Sequence, residues 1–148
     1  MPTVVAVADI AAPLDPVYAL ARNIEAFPQF MPDVQEVEIL EQRPDGYQKS
    51  RWVGIIKEFK RTIKWTEEDH WDDVQHTCAF TQLEGDFSAY RGAWRFQEAA
   101  VGTHVELEVE YEYDVPLIGN LIKALLKRKM QENCDNMLAA IKAEAEKA

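Results

Sequence analysis

The sequence predicts an α+β fold of seven strands, two short helices between the first and second strands, and one long C-terminal helix. Three observations predict it. A β-branched N-terminal run gives way to helically spaced apolar residues; six successive runs then alternate with a period of two; and an apolar stripe of helical spacing fills the C-terminal quarter.

The first strand is "TVVAVADI", whose β-branched residues favour extended backbone. In "APLDPVYALARNIEAF" the residues Val17, Leu20, Ala21 and Ile24 recur at helical spacing. Asp15 is read as the cap of this helix and Pro16 as its first residue. Pro28 and Pro32 cut the following segment into a second short helix, because proline interrupts a helix and pushes its predecessor toward extended backbone. The apolar corner "AFPQFMP" is thus a broken helix leading into a strand.

Strand-like runs follow over Asp33 to Gln42, Gly46 to Lys57, Phe59 to His70, Val74 to Leu83, Phe87 to Glu98 and Thr103 to Asp114. Turn signals separate them at Pro44-Asp45-Gly46, Asp72-Asp73, Glu84-Gly85-Asp86 and Val101-Gly102, whereas the break near Lys57 and Glu58 has no strong turn residue. The last strand is the most regular. Val105, Leu107, Val109, Tyr111 and Tyr113 alternate with His104, Glu106, Glu108, Glu110 and Glu112, so one face meets an apolar interior and the other meets water. In its predecessor Tyr90, Gly92, Trp94 and Phe96 face inward, and Arg91 and Arg95 face outward toward those glutamates. In the final helix Ile122, Leu126, Met130, Cys134, Met137 and Ile141 form a stripe that can lie on the sheet, widened by Leu121, Leu125 and Leu138.

At 148 residues the chain is read as one domain, 1–148, large enough to need no disulfide or metal for stability. Cys78 and Cys134 lack metal-like spacing and fall on apolar faces, as buried thiols of a reducing, cytoplasmic compartment do. No apolar run approaches the roughly 18 residues of a membrane-spanning helix, and "MPTVVAVADI" lacks the basic start of a signal peptide. A formal charge of −10 works against binding the phosphate backbone of DNA. Lys123, Lys127, Arg128 and Lys129 nevertheless cluster on the last helix, either as a solvated face or as a transient contact for a membrane surface or a ribosome.

The stretches "FPQFMPDVQEVEIL", "LEGDFSAYRGAWRF", "GTHVELEVEYEYDVP" and "PLIGNLIKALLKRKM" resemble the START-like (Bet v 1-like, SRPBCC) superfamily. More narrowly they resemble the polyketide cyclase/dehydrase and lipid-transport family, which includes coenzyme Q-binding proteins and a ribosome-association toxin. The resemblance covers nearly the whole chain. It implies a helix-grip fold: a curved antiparallel sheet wrapped around the C-terminal helix, with an elongated cavity between them. Phe27, Phe30 and Met31 would then lie near the cavity entrance; the alternative is that they seal the end of an ordinary core.

The inward faces offer little for catalysis. His76 shares parity with Cys78 and Phe80 and is the one histidine expected inside; its alternative is a hydrogen-bonded core residue. Arg61 shares parity with Ile63 and Trp65, as a headgroup ligand or as an arginine reaching back to water. Tyr90, Tyr111 and Tyr113 supply hydroxyls suited to orienting a ligand, and Trp65 and Trp94 supply aromatic wall, while the parity of Trp52 is ambiguous. Most carboxylates are read as outward, and no metal set, phosphate loop or nucleophile elbow is present. The expected function is binding or transport of a small hydrophobic ligand without a cofactor, in a cavity that includes Val109, Leu125 and Met130. The alternatives are a cyclase or dehydratase and a ribosome- or protein-binding regulator.

Overall fold

The computed structural model describes residues 1–56, 60–113 and 120–147. Strand β1 (Thr3–Ile10) leads to helix α1 (Leu14–Arg22) and a short 3-10 helix (Ile24–Gln29). Six strands follow: β2 (Val34–Gln42), β3 (Tyr47–Ile56), β4 (Arg61–Asp72), β5 (Thr77–Gly85), β6 (Ala89–Ala99) and β7 (Gly102–Glu112). Helix α2 (Asn120–Ala145) ends the fold. All seven strands form one sheet of order β1-β7-β6-β5-β4-β3-β2, antiparallel at every pairing. The expected helix-grip architecture is what the chain adopts. Among the described residues no helix is long and apolar enough to cross a membrane.

The alternation in β6 and β7 holds. Val105, Leu107, Val109 and Tyr111 are buried, and the outward Arg91 pairs with Glu110 at 3.1 Å while Arg95 reaches Glu106 at 2.8 Å and Glu108 at 3.2 Å. These exposed pairs add little to stability, but their opposite charges agree with the register.

Several local expectations are corrected. Helix α1 begins at Leu14 with Pro13 at its cap position, so Asp15 lies in the first turn and makes no capping hydrogen bond. Its charge still favours that end of the helix dipole. The turn after β4 occupies residues 73–76, and β5 resumes only at Thr77, because Asp72 Oδ1 accepts the backbone N–H groups of Val74 and Gln75 at 3.0 Å each and holds them out of the ladder. Val74 is accordingly exposed. The expected break near Lys57 and Glu58 lies outside the described residues. In the turn before β3, Gly46 takes φ 95°, where an added Cβ would stand 2.1 Å from the Trp71 carbonyl oxygen, so the turn requires glycine.

Helix α2 packs mainly on β1, with further contacts to α1 and β7. Leu126, Met130, Cys134, Leu138 and Ile141 form its buried line. Ile122, expected on that line, and Leu121, expected to widen it, are exposed, and Leu125 is half-buried. Polar groups fasten the helix over the free edge of β1: Gln131 Nε2 donates to the Val5 carbonyl and Lys142 Nζ to the Asp9 carbonyl, both at 2.8 Å. A covered edge cannot pair with another chain. The other edge, β2, carries two register irregularities and exposed Glu36, Glu38 and Glu41, which discourage edge pairing by bend and charge.

Candidate functional site

Because α2 rests toward β1, it stands away from the middle of the sheet, and a cavity lies between. Its sheet wall is made by Trp52, Gly54 and Ile56 of β3, Ile63, Trp65 and Glu67 of β4, Phe80 of β5, Tyr90 and Trp94 of β6, and Leu107 of β7. Its helix wall is Met130, Asn133, Cys134 and Met137; Asp33, Val34, Ile55 and Phe87 complete it. The volume open to the centres of water-sized spheres is about 80 Å³. Aromatic rings brace one another around it. Trp52 stacks on Trp65 with ring centres 5.9 Å apart, Trp65 meets Tyr90 at 5.0 Å, and Phe87 stacks on Tyr90 at 4.6 Å.

The helix is stitched to the start of β2 beside this space. Asn136 Nδ2 donates to Asp33 Oδ2 at 2.9 Å. Asn133, in the amide orientation that satisfies both its ends, donates to the Lys129 carbonyl at 3.2 Å and to Asp33 Oδ2 at 3.3 Å.

The cavity wall is not uniformly apolar. On β4 the buried face runs through Ile63 and then Glu67, Asp69 and Trp71, so two carboxyls two residues apart point inward, only 4% and 3% exposed. Glu67 reaches the cavity, and its Oε1 accepts the Trp65 Nε1–H at 2.7 Å. Asp69 lies across from Gln48 on β3, beside Ser50, and its Oδ2 accepts from Ser50 Oγ at 2.7 Å and more weakly from Gln48 Nε2 at 3.5 Å. Trp52 Nε1 donates to Ser50 Oγ at 2.9 Å, which turns the Ser50 proton toward Asp69. Gln42 Nε2 donates to Gln48 Oε1 at 3.1 Å and carries the network to β2.

Burial raises the pKa of Glu67 well above the usual carboxyl range, and the neighbouring Asp69 charge adds to the rise. Asp69 is also raised by burial, but hydrogen bonds from Glu67, Ser50 and Gln48 oppose the shift. The proton therefore stays on Glu67, which donates to an ionised Asp69. Two adjacent buried carboxyls cannot both ionise cheaply, and here the surrounding donors decide which one does. Near them, the Tyr90 phenol is also pushed well above its usual value, first of all by burial. Among the described residues its hydroxyl has no hydrogen-bond partner.

Of the residues expected at the cavity, Trp65, Tyr90, Trp94 and Met130 line it. Phe27 is buried behind the wall, with its ring 5.8 Å from Trp52 and 6.5 Å from Trp94; Met31 is buried and Phe30 packs at the core margin, 6.0 Å from Phe27. Val109 and Tyr111 are core residues, and burial pushes the Tyr111 phenol up to about 12. Leu125 lies on α2 away from the lining. Arg61 is exposed at the start of β4, where it donates to the Tyr113 hydroxyl at 3.1 Å.

His76 is displaced furthest from expectation. It sits in the turn before β5 at φ 57°, its ring 4.8 Å from Tyr18 and its Nε2 3.5 Å from Asp15, outside the cavity lining. Strand parity cannot apply to a residue that is not in a strand. On α2, Lys123, Lys127 and Arg128 are exposed, but Lys129 is largely covered and bonds Glu132 at 3.1 Å.

The reading of inward faces as nearly free of titratable groups is overturned by Glu67 and Asp69. The signal was present: both share the parity of Ile63 and Trp65, the same parity used for Arg61. Phe80 and Leu107 were likewise reachable by parity. Phe87 was not, since it lies outside any strand and is brought in by the loop before β6.

The family model described as "Polyketide cyclase / dehydrase and lipid transport" matches residues 10–138. No match was found among curated proteins. Among solved structures, a protein of Thermus thermophilus is 33% identical, with each chain 97% covered and a TM-score of 0.91. An aromatase/cyclase from a Streptomyces species is 23% identical over 98% of this chain and 93% of its own, at a TM-score of 0.88. A START superfamily protein of Mycobacterium smegmatis is 17% identical over 97% of each chain, at a TM-score of 0.81. The last two likenesses speak to the fold alone.

Proposed function

The chain belongs to the polyketide cyclase / dehydrase and lipid transport family, and from that premise we propose that it binds or carries a small hydrophobic molecule between sheet and α2. A lipid, an isoprenoid quinone or a polycyclic aromatic would suit. The observation that carries this reading is the cavity itself, walled by aromatic and aliphatic side chains with few polar groups, the composition of a ligand pocket. Binding would be driven by removing the ligand's apolar surface from water. A polycyclic ligand needs more than about 80 Å³, and the unbranched Met130 and Met137 can change rotamer to widen the space. The buried free thiols Cys78 and Cys134 support a reducing, cytoplasmic setting.

Native mass spectrometry of freshly purified protein, followed by organic extraction, tests the reading. A reproducible co-purified apolar molecule, or saturable uptake of the neutral dye Nile red, is expected. Protein that is always empty and takes up no dye would sink it. His76→Ala should leave uptake unchanged, since that side chain lies outside the wall.

A second reading, a cyclase or dehydratase, is favoured by one observation: Glu67 places an acid on the wall of an apolar cavity. Such a group can exchange a proton with a ligand oxygen. On a poly-ketone substrate Glu67→Gln would then lower turnover at least about tenfold. Undiminished turnover would remove Glu67 from that role.

A further inference from the structure

Besides the Cys134 thiol and Asp33, which is engaged by Asn133 and Asn136, the cavity is lined by two polar groups of opposite aptitude. Glu67, protonated and donating to Asp69, keeps a lone pair on an Oε1 already engaged by Trp65, so while its proton is held by Asp69 it faces the cavity as an acceptor. Tyr90 lines the same space, and its hydroxyl is unengaged among the described residues, so it can donate. A ligand hydroxyl can satisfy both, donating a hydrogen bond to Glu67 and accepting one from Tyr90.

Behind Glu67 stands the ionised Asp69, held by Ser50 and Gln48 in a region from which water is excluded. The groups that act on the pair are Trp65, Ser50 and Gln48, while His70 lies on the opposite, exposed face of β4; none offers a cation toward the cavity. A second negative charge entering this space would lose its hydration and meet Asp69 through a medium that screens poorly. An anionic headgroup would also find no proton acceptor's counterpart in itself, since a carboxylate cannot donate to Glu67.

We propose that Glu67, Asp69 and Tyr90 make the cavity a selective site for neutral apolar molecules bearing a hydroxyl, and that they exclude apolar carboxylates such as fatty acids. The inference rests on the binding reading above and adds the chemical class of the ligand. It also separates the roles of the two acids: Glu67 touches the ligand, and Asp69 supplies the excluding charge from one layer behind.

The experiment compares naphthol with naphthoate, which share an apolar body, by titration calorimetry at neutral pH on the intact chain, with Nile red as a reference for the open cavity. Wild-type protein should bind naphthoate at least about tenfold more weakly than naphthol. In Glu67→Gln/Asp69→Asn, which keeps the shape of both side chains while removing the charge, the two affinities should come within about threefold, chiefly because naphthoate gains. Should the double variant fail to fold, Asp69→Asn alone carries the same expectation. Equal affinity for both compounds in the wild type, with Nile red bound, overturns the selectivity and leaves the binding reading standing. An unchanged preference in a folded charge-free variant overturns the role of Asp69. Failure of all three compounds to bind removes the binding reading and the inference together.

Discussion

Glu67 and Asp69 show how little a residue's type says once burial is settled. Carboxylates abound in this acidic chain and almost all face water, yet these two lie inside, sharing one proton. Their pKa values are raised in the folded protein above the ordinary ones, 4.5 for Glu67. The native state therefore holds a proton that the unfolded chain releases. The stability tied to this proton is fully present at acid pH and is lost as pH rises above the ordinary carboxyl range toward the raised values. Glu67→Gln cannot ionise, so it should gain on the wild type by about 1.4 kcal/mol per pH unit across that window, until the wild-type pair ionises. Denaturant melts of both proteins across the pH range measure the difference, and parallel curves would mean that Glu67 is already ionised in the native state.

The elements differ in what they bury. Strand β7 is close-packed: Val109 is 1% exposed, sits between Val4 of β1 and Gly92 of β6, and stays clear of the cavity. Gly92 is itself a point of close approach, since a Cβ there would stand 2.0 Å from the Glu108 carbonyl oxygen and 2.7 Å from Phe80 Cζ. Val109→Trp should thus overpack the region and cost about 1–3 kcal/mol in a denaturant melt, whereas Glu108→Trp, on the solvent face, should stay near wild type. Full stability in Val109→Trp would show open space where the structure has none. The sheet wall of the cavity comes mostly from β3, β4 and β6, with one residue each from β5 (Phe80) and β7 (Leu107).

Across the whole molecule, the helix is held tightly on one side and lightly on the other. Toward β1 it packs through its apolar line and covers the sheet edge; toward β2 the stitching is the pair Asn133 and Asn136 with Asp33. Exposed hydrogen bonds of this kind contribute about 1 kcal/mol or less, so this side of the seam is the cheaper to part. Asn136 touches Asp33 without lining the cavity. Asn136→Ala should accordingly raise the association and dissociation rates of Nile red together and leave Kd nearly unchanged. Stopped-flow mixing reads both; a weaker Kd with unaltered rates would place ligand entry elsewhere.

Element type and strand parity were legible in the chain because they depend on neighbours two to four residues apart. The alternation of β7, the arginines of β6 against its glutamates, and the long final helix are all read from local periodicity, and the family motifs extend that to the helix-grip arrangement. Residues whose environment comes from distant segments were not legible in the same way. Trp52 has apolar neighbours on both sides in sequence, and its direction is fixed by stacking on Trp65 and by its hydrogen bond to Ser50. His76 left its strand because Asp72 captured the turn, Val109 and Tyr111 became core on the side of the sheet where α2 settled toward β1, and Phe27 became core because the 3-10 helix packs it against Trp52 and Trp94. Glu67 and Asp69 had the right parity, but whether a carboxyl on that parity ends in water or in the interior depends on the tryptophan, serine and glutamine that the pairing of β3 with β4 sets around it. Local spacing specifies which way a side chain points. What lies there, and so what charge it keeps, is specified by strands that meet from far apart in the chain.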